Sequence, residues 1–355
     1  MFSRSLPKIR GEQLVAESSP TKGVAYTVRK FQFFLIVFLV FSLTTETVAK
    51  EEKNNTEERM SLYKKMEAIT QIDWTYFAAV DQYERSARRL NKNIPEEKGQ
   101  IAIYFSPDEW TGPINPNQKD TNPLTISIFG GIGLDGNGDG IADRENDEDV
   151  LYTFANHLQK YGPHPDDIRM GLWDYYKRDL IVSIITGNAK IYKHFGTIDL
   201  DKNAFPVPLQ ANYNFKNTWG DRRGWGGLRI HEGTDIFTGY GVPVRATTYG
   251  IVETIGWNRY GGWRIGIRDL NNTYHYFAHL NGFEKNLEKG SVVKPGDTIG
   301  FVGSSGYGPK GTAGKFPPHL HYGMYRFNGQ KEWGFDPYPS LKTWERQERN
   351  AKKKG

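Results

Sequence analysis

Two short stretches, His231-Glu232-Gly233-Thr234-Asp235 and His319-Leu320-His321, carry the side chains best suited to chemistry. A catalytic zinc takes three protein ligands from His and Asp/Glu and keeps one position open for water. In extended backbone, side chains two or four residues apart point to the same side. His319 and His321 therefore share a face, with Leu320 and Tyr322 on the other. His231 and Asp235 can meet in the same way, with Gly233 easing the bend between them. Three ligands and a spare imidazole can converge on one ion. Between the two stretches, the apolar, β-like run Tyr276-Phe277-Ala278-His279-Leu280 brings in a further histidine. Such a centre suits peptide hydrolysis. The ion lowers the pKa of water and polarises a carbonyl, and an imidazole titrating near working pH moves the proton. Glu232 points away from His231 in an extended segment and reads as a flanking or surface group. His275 reads as structural, and His157, His164 and His194 belong to no constellation.

The elements that position these residues are short strand-like runs: Val242 to Val244, Ile251-Val252, Arg264 to Ile267, Tyr274 to Phe277, Thr298 to Val302 and His321 to Tyr325. Gly, Asn and Pro separate them, with no helical pattern between, which predicts an antiparallel sheet or β-sandwich. Trp219, Trp225, Trp257, Tyr260, Trp263 and Tyr307 lie beside glycines in the intervening loops and suit a groove for extended peptide or sugar. Upstream, helical spacing predicts a mainly helical domain over residues 60–200. Its candidate core includes Ile69, Ile72, Tyr76, Phe77, Val80 and Tyr83. Asp73, Asp147 and Asp166 are candidate helix caps, and Ile168 through Ile191 reads as a stretch split in two. The Asp- and Pro-containing segment Asp199 to Pro208 reads as the boundary.

HxGxD, YFAHL and HLH, in that order and spacing, resemble the lysostaphin-type (LytM-like) zinc endopeptidases, which cut peptidoglycan peptides. The likeness extends from Phe205 to Pro339 and includes Gly241 to Ala246, Lys294 to Gly300 and Val302 to Gly306. It implies that His231, Asp235 and His321 hold one zinc per chain, and that His279 and His319 are the catalytic histidines beside it. Pro318 before HLH, where the family often has glycine, and a long Ser305 to Pro318 loop depart from the pattern and bear on substrate preference. The stretch Trp74 to Arg85 resembles the lysozyme-like fold of lytic transglycosylases, in which a glutamate ending such a helix is the general acid. Glu84 is the matching position, although Arg85 follows where that family has serine. A surface pairing of Glu84 with Arg88 is the plainer reading. The whole layout is similar to sporulation-linked L-alanyl-D-glutamate endopeptidases of spore-forming Gram-positive bacteria. It implies an α+β multidomain chain that cleaves the L-Ala–D-Glu bond of the stem peptide. A catalytically silent peptidoglycan-binding scaffold and a bifunctional enzyme with a glycan-cleaving helical domain are the competing functions.

The 355 residues suffice for two cores, and 14% aromatic content with 39 glycines favours β structure with grooves. A net charge of +5 suits an acidic partner such as an anionic cell wall. No nucleic-acid motif appears. Zero cysteines excludes disulfides. Residues 1–49 read as a leader. Arg29-Lys30 precedes the apolar run Phe31 to Leu43, and Thr47-Val48-Ala49 offers a small-residue exit, so a signal peptide or membrane anchor is expected, with the rest extracytoplasmic. Residues 50–200 are then the lysozyme-like domain, 205–340 the peptidase domain and 341–355 a charged tail. Asp135, Asn137, Asp139 and Asp143 have the alternating oxygens of an EF-hand-like loop and make it a candidate calcium site; Asn146 occupies the twelfth position, where calcium takes a bidentate glutamate, with Asp147 or Glu145 as the substitute.

Overall fold

The computed structural model describes residues 55–91, 94–95, 98–224 and 229–354; the expected leader and Trp225 lie outside them. Seven helices come first: α1 (residues 55–70), α2 (Trp74–Arg88), α3 (Pro107–Thr111), α4 (Pro123–Ile128), α5 (Asp147–Gln159), α6 (Pro165–Tyr176) and α7 (Asp179–Phe195). Local chemistry sets their ends. Asp73 caps α2 by accepting from the Thr75 amide at 3.1 Å. The cap of α5 is Asn146, one residue before the expected Asp147, and α6 begins at His164 with Asp167 closing the box. The long apolar stretch breaks at Lys177, whose φ of 52° ends α6 in the left-handed region.

Ile72, Phe77, Val80 and Tyr83 are buried together with Phe154, Leu158, Ile185 and Tyr192. Ile69 is 49% exposed, because α1 turns Tyr63, Met66 and Thr70 inward instead. That face follows the three- and four-residue helical repeat.

The remaining chain forms a ten-stranded antiparallel sheet. It is built from β1 (Tyr213–Phe215), β4 (Thr234–Thr238), β5 (Pro243–Arg245), β6 (Gly250–Asn258), β7 (Gly262–Asp269), β8 (Thr273–Phe283), β9 (Val292–Val293), β10 (Thr298–Val302), β11 (His319–Phe327) and β12 (Glu332–Phe335). The main path runs β1-β4-β11-β8-β7-β6-β9, with β10 joining β5 to β8 and β12 extending from β11. A separate ribbon pairs β2 (Arg222–Arg223) with β3 (Arg229–Ile230). Leu320 and Tyr322 are fully buried with Phe277, Ile236 and Ile265. Each large apolar side chain buried this way is worth about 1.5–3 kcal/mol. A one-residue slip of β11 would expose them, so the core locks His319 and His321 onto the opposite face.

The expected charged tail is the helix α8 (Tyr338–Lys354), pinned by buried Leu341 and Trp344. The helical portion packs directly on the sheet. Gly187 of α7 lets Ile251 of β6 approach, since a Cβ would meet its Cγ2 at 3.3 Å. Arg178 donates to the Gly329 and Gln330 carbonyls at 2.6 and 2.7 Å, and Gln82 donates to that of Leu270 at 3.0 Å. Among the described residues, no helix is long and apolar enough to cross a membrane.

Candidate metal centre

β4 and β11 are neighbours in register, with His321 opposite Asp235. That pairing brings together two of the three predicted ligands, and His231 enters from the turn after β3. His231 Nε2 lies 2.8 Å from His321 Nδ1, and Asp235 Oδ1 is 3.1 Å from each of those nitrogens. Ligands about 2.0–2.1 Å from a tetrahedral zinc stand roughly 3.3 Å apart, close to this triangle.

The tautomers agree with the same use. His231 donates Nδ1–H to the Thr218 carbonyl at 2.8 Å, leaving its Nε2 lone pair turned inward. Two inward imidazole nitrogens and a carboxylate oxygen, all buried or half-buried, make a donor set that fits zinc.

Two residues beyond the motifs complete the support. The Thr218 hydroxyl accepts from the Asp235 amide at 3.2 Å, so this single residue braces two of the three. Arg223 Nη2 lies 2.6 Å from Asp235 Oδ2. Burial alone would raise the Asp235 carboxyl, yet contacts with His231 and His321 hold it well below the usual carboxylate range. Gly233 does more than bend the chain. A Cβ there would come 2.5 Å from His321 Cε1 and 2.8 Å from Nε2. The glycine clears space for the His321 ring.

His279 and His319 flank the triad. Their rings are 4.9 Å apart, and His319 Nε2 is 3.8 Å from Asp235 Oδ1. Each donates Nδ1–H at 2.8 Å to a backbone carbonyl, of Ser305 and Pro317 respectively, which leaves Nε2 free to accept a proton. Phe316 packs against both rings at 4.7 and 5.1 Å. Burial, with the neighbouring imidazoles His319 and His321, holds His279 well below the ordinary imidazole range, and burial lowers His319 as well. Both are therefore neutral in the folded chain, with Nε2 available as an acceptor.

A β-bulge delivers His279. Trp263 pairs with Leu280 and Ile265 with Phe277, so Ala278 and His279 together face Arg264. His279 has a φ of +64° and breaks the alternation. His275, four residues earlier, points into the core between Asp269 at 3.0 Å and the Tyr322 hydroxyl at 2.6 Å, a structural role.

The histidines open into a cleft of about 650 Å³ whose wall includes Tyr260, Tyr276, Tyr307 and the exposed Glu232. Trp257 and Trp263, expected in loops, instead face each other across β6 and β7, with their rings 5.3 Å apart. The acidic loop behaves differently. Asp135 accepts from the Gly138 and Gly140 amides, Asn137 from Asp139 and Asp139 from Ile141. Asp143 accepts from the Glu145 amide, and Asn146 is spent on capping α5. Among the described residues these side chains do not gather into a three-ligand cluster, whereas His231, Asp235 and His321 do.

Glu84 is half-buried and its carboxylate is engaged inward rather than left on the open surface. It accepts from the Tyr176 hydroxyl at 2.6 Å, and burial pushes its carboxyl up to about 7.

Residues 229–333 match the family model for peptidase family M23. The chain is 58% identical over 319 residues to the L-Ala–D-Glu endopeptidase of Bacillus subtilis (strain 168), covering 90% of this chain and 98% of that protein. It is 35% identical over 116 residues to lysostaphin of Staphylococcus staphylolyticus, covering 32% of this chain and 22% of that protein. The catalytic domain of lysostaphin from Staphylococcus simulans superposes with a TM-score of 0.30 at 32% identity, covering 37% of this chain and 93% of that one. The chain belongs to peptidase family M23 and is a zinc metalloendopeptidase that hydrolyses peptidoglycan.

Proposed function

We propose that this chain cuts the bond between L-Ala and D-Glu in peptidoglycan stem peptides, outside the cytoplasm, with one zinc held by His231, Asp235 and His321. The observation that carries the choice of bond is the near full-length identity to the Bacillus subtilis enzyme of that name. Cortex or wall remodelling in a sporulating cell is the matching context. The leader at residues 1–49 is the proposed route of export, cleaved or retained as an anchor.

Zinc supplies Lewis acidity towards the scissile carbonyl and lowers the pKa of water. The chain's own residues do the rest. Thr218 and Arg223 fix His231 and Asp235 in orientation, so that little reorganisation accompanies the reaction. His279 and His319 are the proposed proton carriers. Their Nδ1 positions are occupied by carbonyls, so each accepts and returns a proton at Nε2. Phe316 and Tyr307 shield the pair from water. Tyr276, edge-on to His321 at 5.9 Å, closes the opposite wall.

Digestion of defined muropeptides with mass spectrometry tests this reading. New D-Glu amino termini are the expected product; cuts confined to another bond overturn the specificity, and an unchanged wall with co-sedimentation indicates a silent binder. One feature favours a second activity, in which the helical portion is lysozyme-like and Glu84 is a general acid: the carboxyl is held against the Tyr176 hydroxyl and burial pushes it up to about 7, so part of it keeps its proton near neutral pH. Anhydro-muramyl ends that vanish in Glu84→Gln would establish it, and their absence from the parent digest removes it.

A further inference from the structure

The cleft beside the histidines carries an excess of positive charge. Arg222, Arg223, Arg229 and Lys315 line it against Glu232 and Asp235. These cations are not equivalent. Arg223 is committed to Asp235 at 2.6 Å, and Lys315 donates to the Tyr307 carbonyl at 2.7 Å. Arg229 is held by aromatic rings. Its guanidinium carbon stands 5.7 Å from the ring centroids of both Tyr260 and Tyr307, and Nη2 donates to the Tyr307 hydroxyl at 2.7 Å. No carboxylate of the described residues pairs with it.

This support is continuous with the catalytic end of the cleft. Tyr260 meets Tyr307 edge to face at 6.4 Å, and Tyr307 stacks on His279 at 5.8 Å with 24° between planes. One shelf thus joins a proton-carrying imidazole to an exposed guanidinium. The backbone of Arg229 pairs with that of Arg223 in the β2–β3 ribbon, which ties its position to the metal centre. A guanidinium fixed on aromatic faces keeps planar N–H donors that match a carboxylate bidentately, and much of the ordering entropy is already lost before binding.

The proposed scissile bond calls for such a group. When D-Glu continues the stem peptide through its side-chain carboxyl, its α-carboxylate stays free on the carbon that bears the scissile nitrogen. An ordinary α-linked peptide has a neutral amide there. A groove for this substrate must seat an anion a few ångströms from the cut, where an unmatched charge would be costly to desolvate.

We propose that Arg229, seated on Tyr260 and Tyr307, is a specificity-determining residue that binds the free α-carboxylate on the amine side of the cleaved bond. This rests on the L-Ala–D-Glu reading given above.

The test uses the full chain loaded with zinc and two synthetic stem peptides, one with the free α-carboxylate on D-Glu and one with the α-carboxamide. The parent protein is expected to favour the carboxylate form by about tenfold or more in kcat/KM, in line with a charge-assisted hydrogen bond. Arg229→Gln is expected to lower kcat/KM for the carboxylate form by about 10- to 100-fold, mainly through KM, and to leave the carboxamide form unchanged. Arg229→Lys should recover part of the preference. Calorimetric binding of the amine-side product fragment, which needs no turnover, should weaken in parallel. Equal loss on both substrates, or no loss, overturns the role of Arg229 while leaving the L-Ala–D-Glu reading intact. Failure of the parent to cut either peptide at that bond overturns both.

Discussion

Arg223 grips Asp235 by the oxygen that faces away from the two imidazoles: Nη2 is 2.6 Å from Oδ2, while Oδ1 lies 3.1 Å from His231 and from His321. The carboxylate is therefore shared between a guanidinium and the metal position, and its rotation is fixed from both sides. Support of this kind is typically worth 10–100-fold in metal affinity. Arg223→Met is expected to weaken zinc binding by about that factor, measured by competition with a chromophoric chelator, with the metal-free melting temperature nearly unchanged. Unaltered affinity in a folded Arg223→Met protein would show that Asp235 needs no such partner.

Gly233 offers a sharper test of ligand placement. Its missing Cβ is the clearance for His321, with 2.5 Å to Cε1. Gly233→Ala forces the ring, β11 or the turn to shift, an overpacking that costs about 1–3 kcal/mol. The expected outcome is a folded protein with zinc affinity and peptide cleavage both reduced by at least tenfold. Parent-like zinc stoichiometry and turnover in Gly233→Ala would mean that the turn relaxes freely.

These two residues also mark where sequence stops being readable. His319 and His321 were legible because β11 is regular, so Leu320 and Tyr322 in the core dictate the opposite face. The same alternation puts His275 and His279 on one face, and there the structure departs from it. The bulge at Ala278-His279 sends His279 to the cleft and leaves His275 on Asp269. No residue type in that run announces a bulge, since positive φ usually falls to Gly or Asn. Gly233 reads as a bend because a contact with the ring of His321, far along the chain, has no local signature. Thr218, in a loop, and Arg223, in the two-residue strand β2, carry no signal of their own for the same reason: their roles exist only once β4 and β11 are paired. In the helical portion, the apolar period located the helices, but Asn146 displaced Asp147 as a cap and Ile69 faced outward, shifts of a residue or two at helix ends.

Glu84 ties stability to pH in the direction opposite to most carboxyls. Burial raises its carboxyl from 4.5 in the unfolded chain to about 7 in the fold, against the lowering effect of the Tyr176 hydrogen bond. The folded state therefore holds a proton that the unfolded state releases between those values. The contribution is fully present below pH 4.5 and fades as pH rises through 7. At 1.36 kcal/mol per unit, the loss is on the order of 1–3 kcal/mol. Chemical denaturation at pH 5 and pH 8 should show the parent losing that much more stability than Glu84→Gln over the same interval. Identical pH dependence in the two proteins would place the ionised form comfortably in the fold.

His279 is held in a conformation that its side chain disfavours. At φ +64° a residue with a Cβ pays about 1–2 kcal/mol relative to glycine. In an ordinary strand the ranking is reversed, with glycine less stable than alanine by about 0.5–1 kcal/mol. His279→Gly should therefore be more stable than His279→Ala, by about 1 kcal/mol in denaturant unfolding. Both variants remove the imidazole and its hydrogen bond to Ser305, so that loss cancels in the comparison. Both should retain zinc, because His231, Asp235 and His321 are untouched, and both should lose at least a hundredfold in kcat, the lower end of what a positioned proton carrier contributes. An alanine variant at least as stable as the glycine one would mean that the bulge relaxes once the imidazole is gone. Near-parent turnover in either would assign proton transfer to His319 alone.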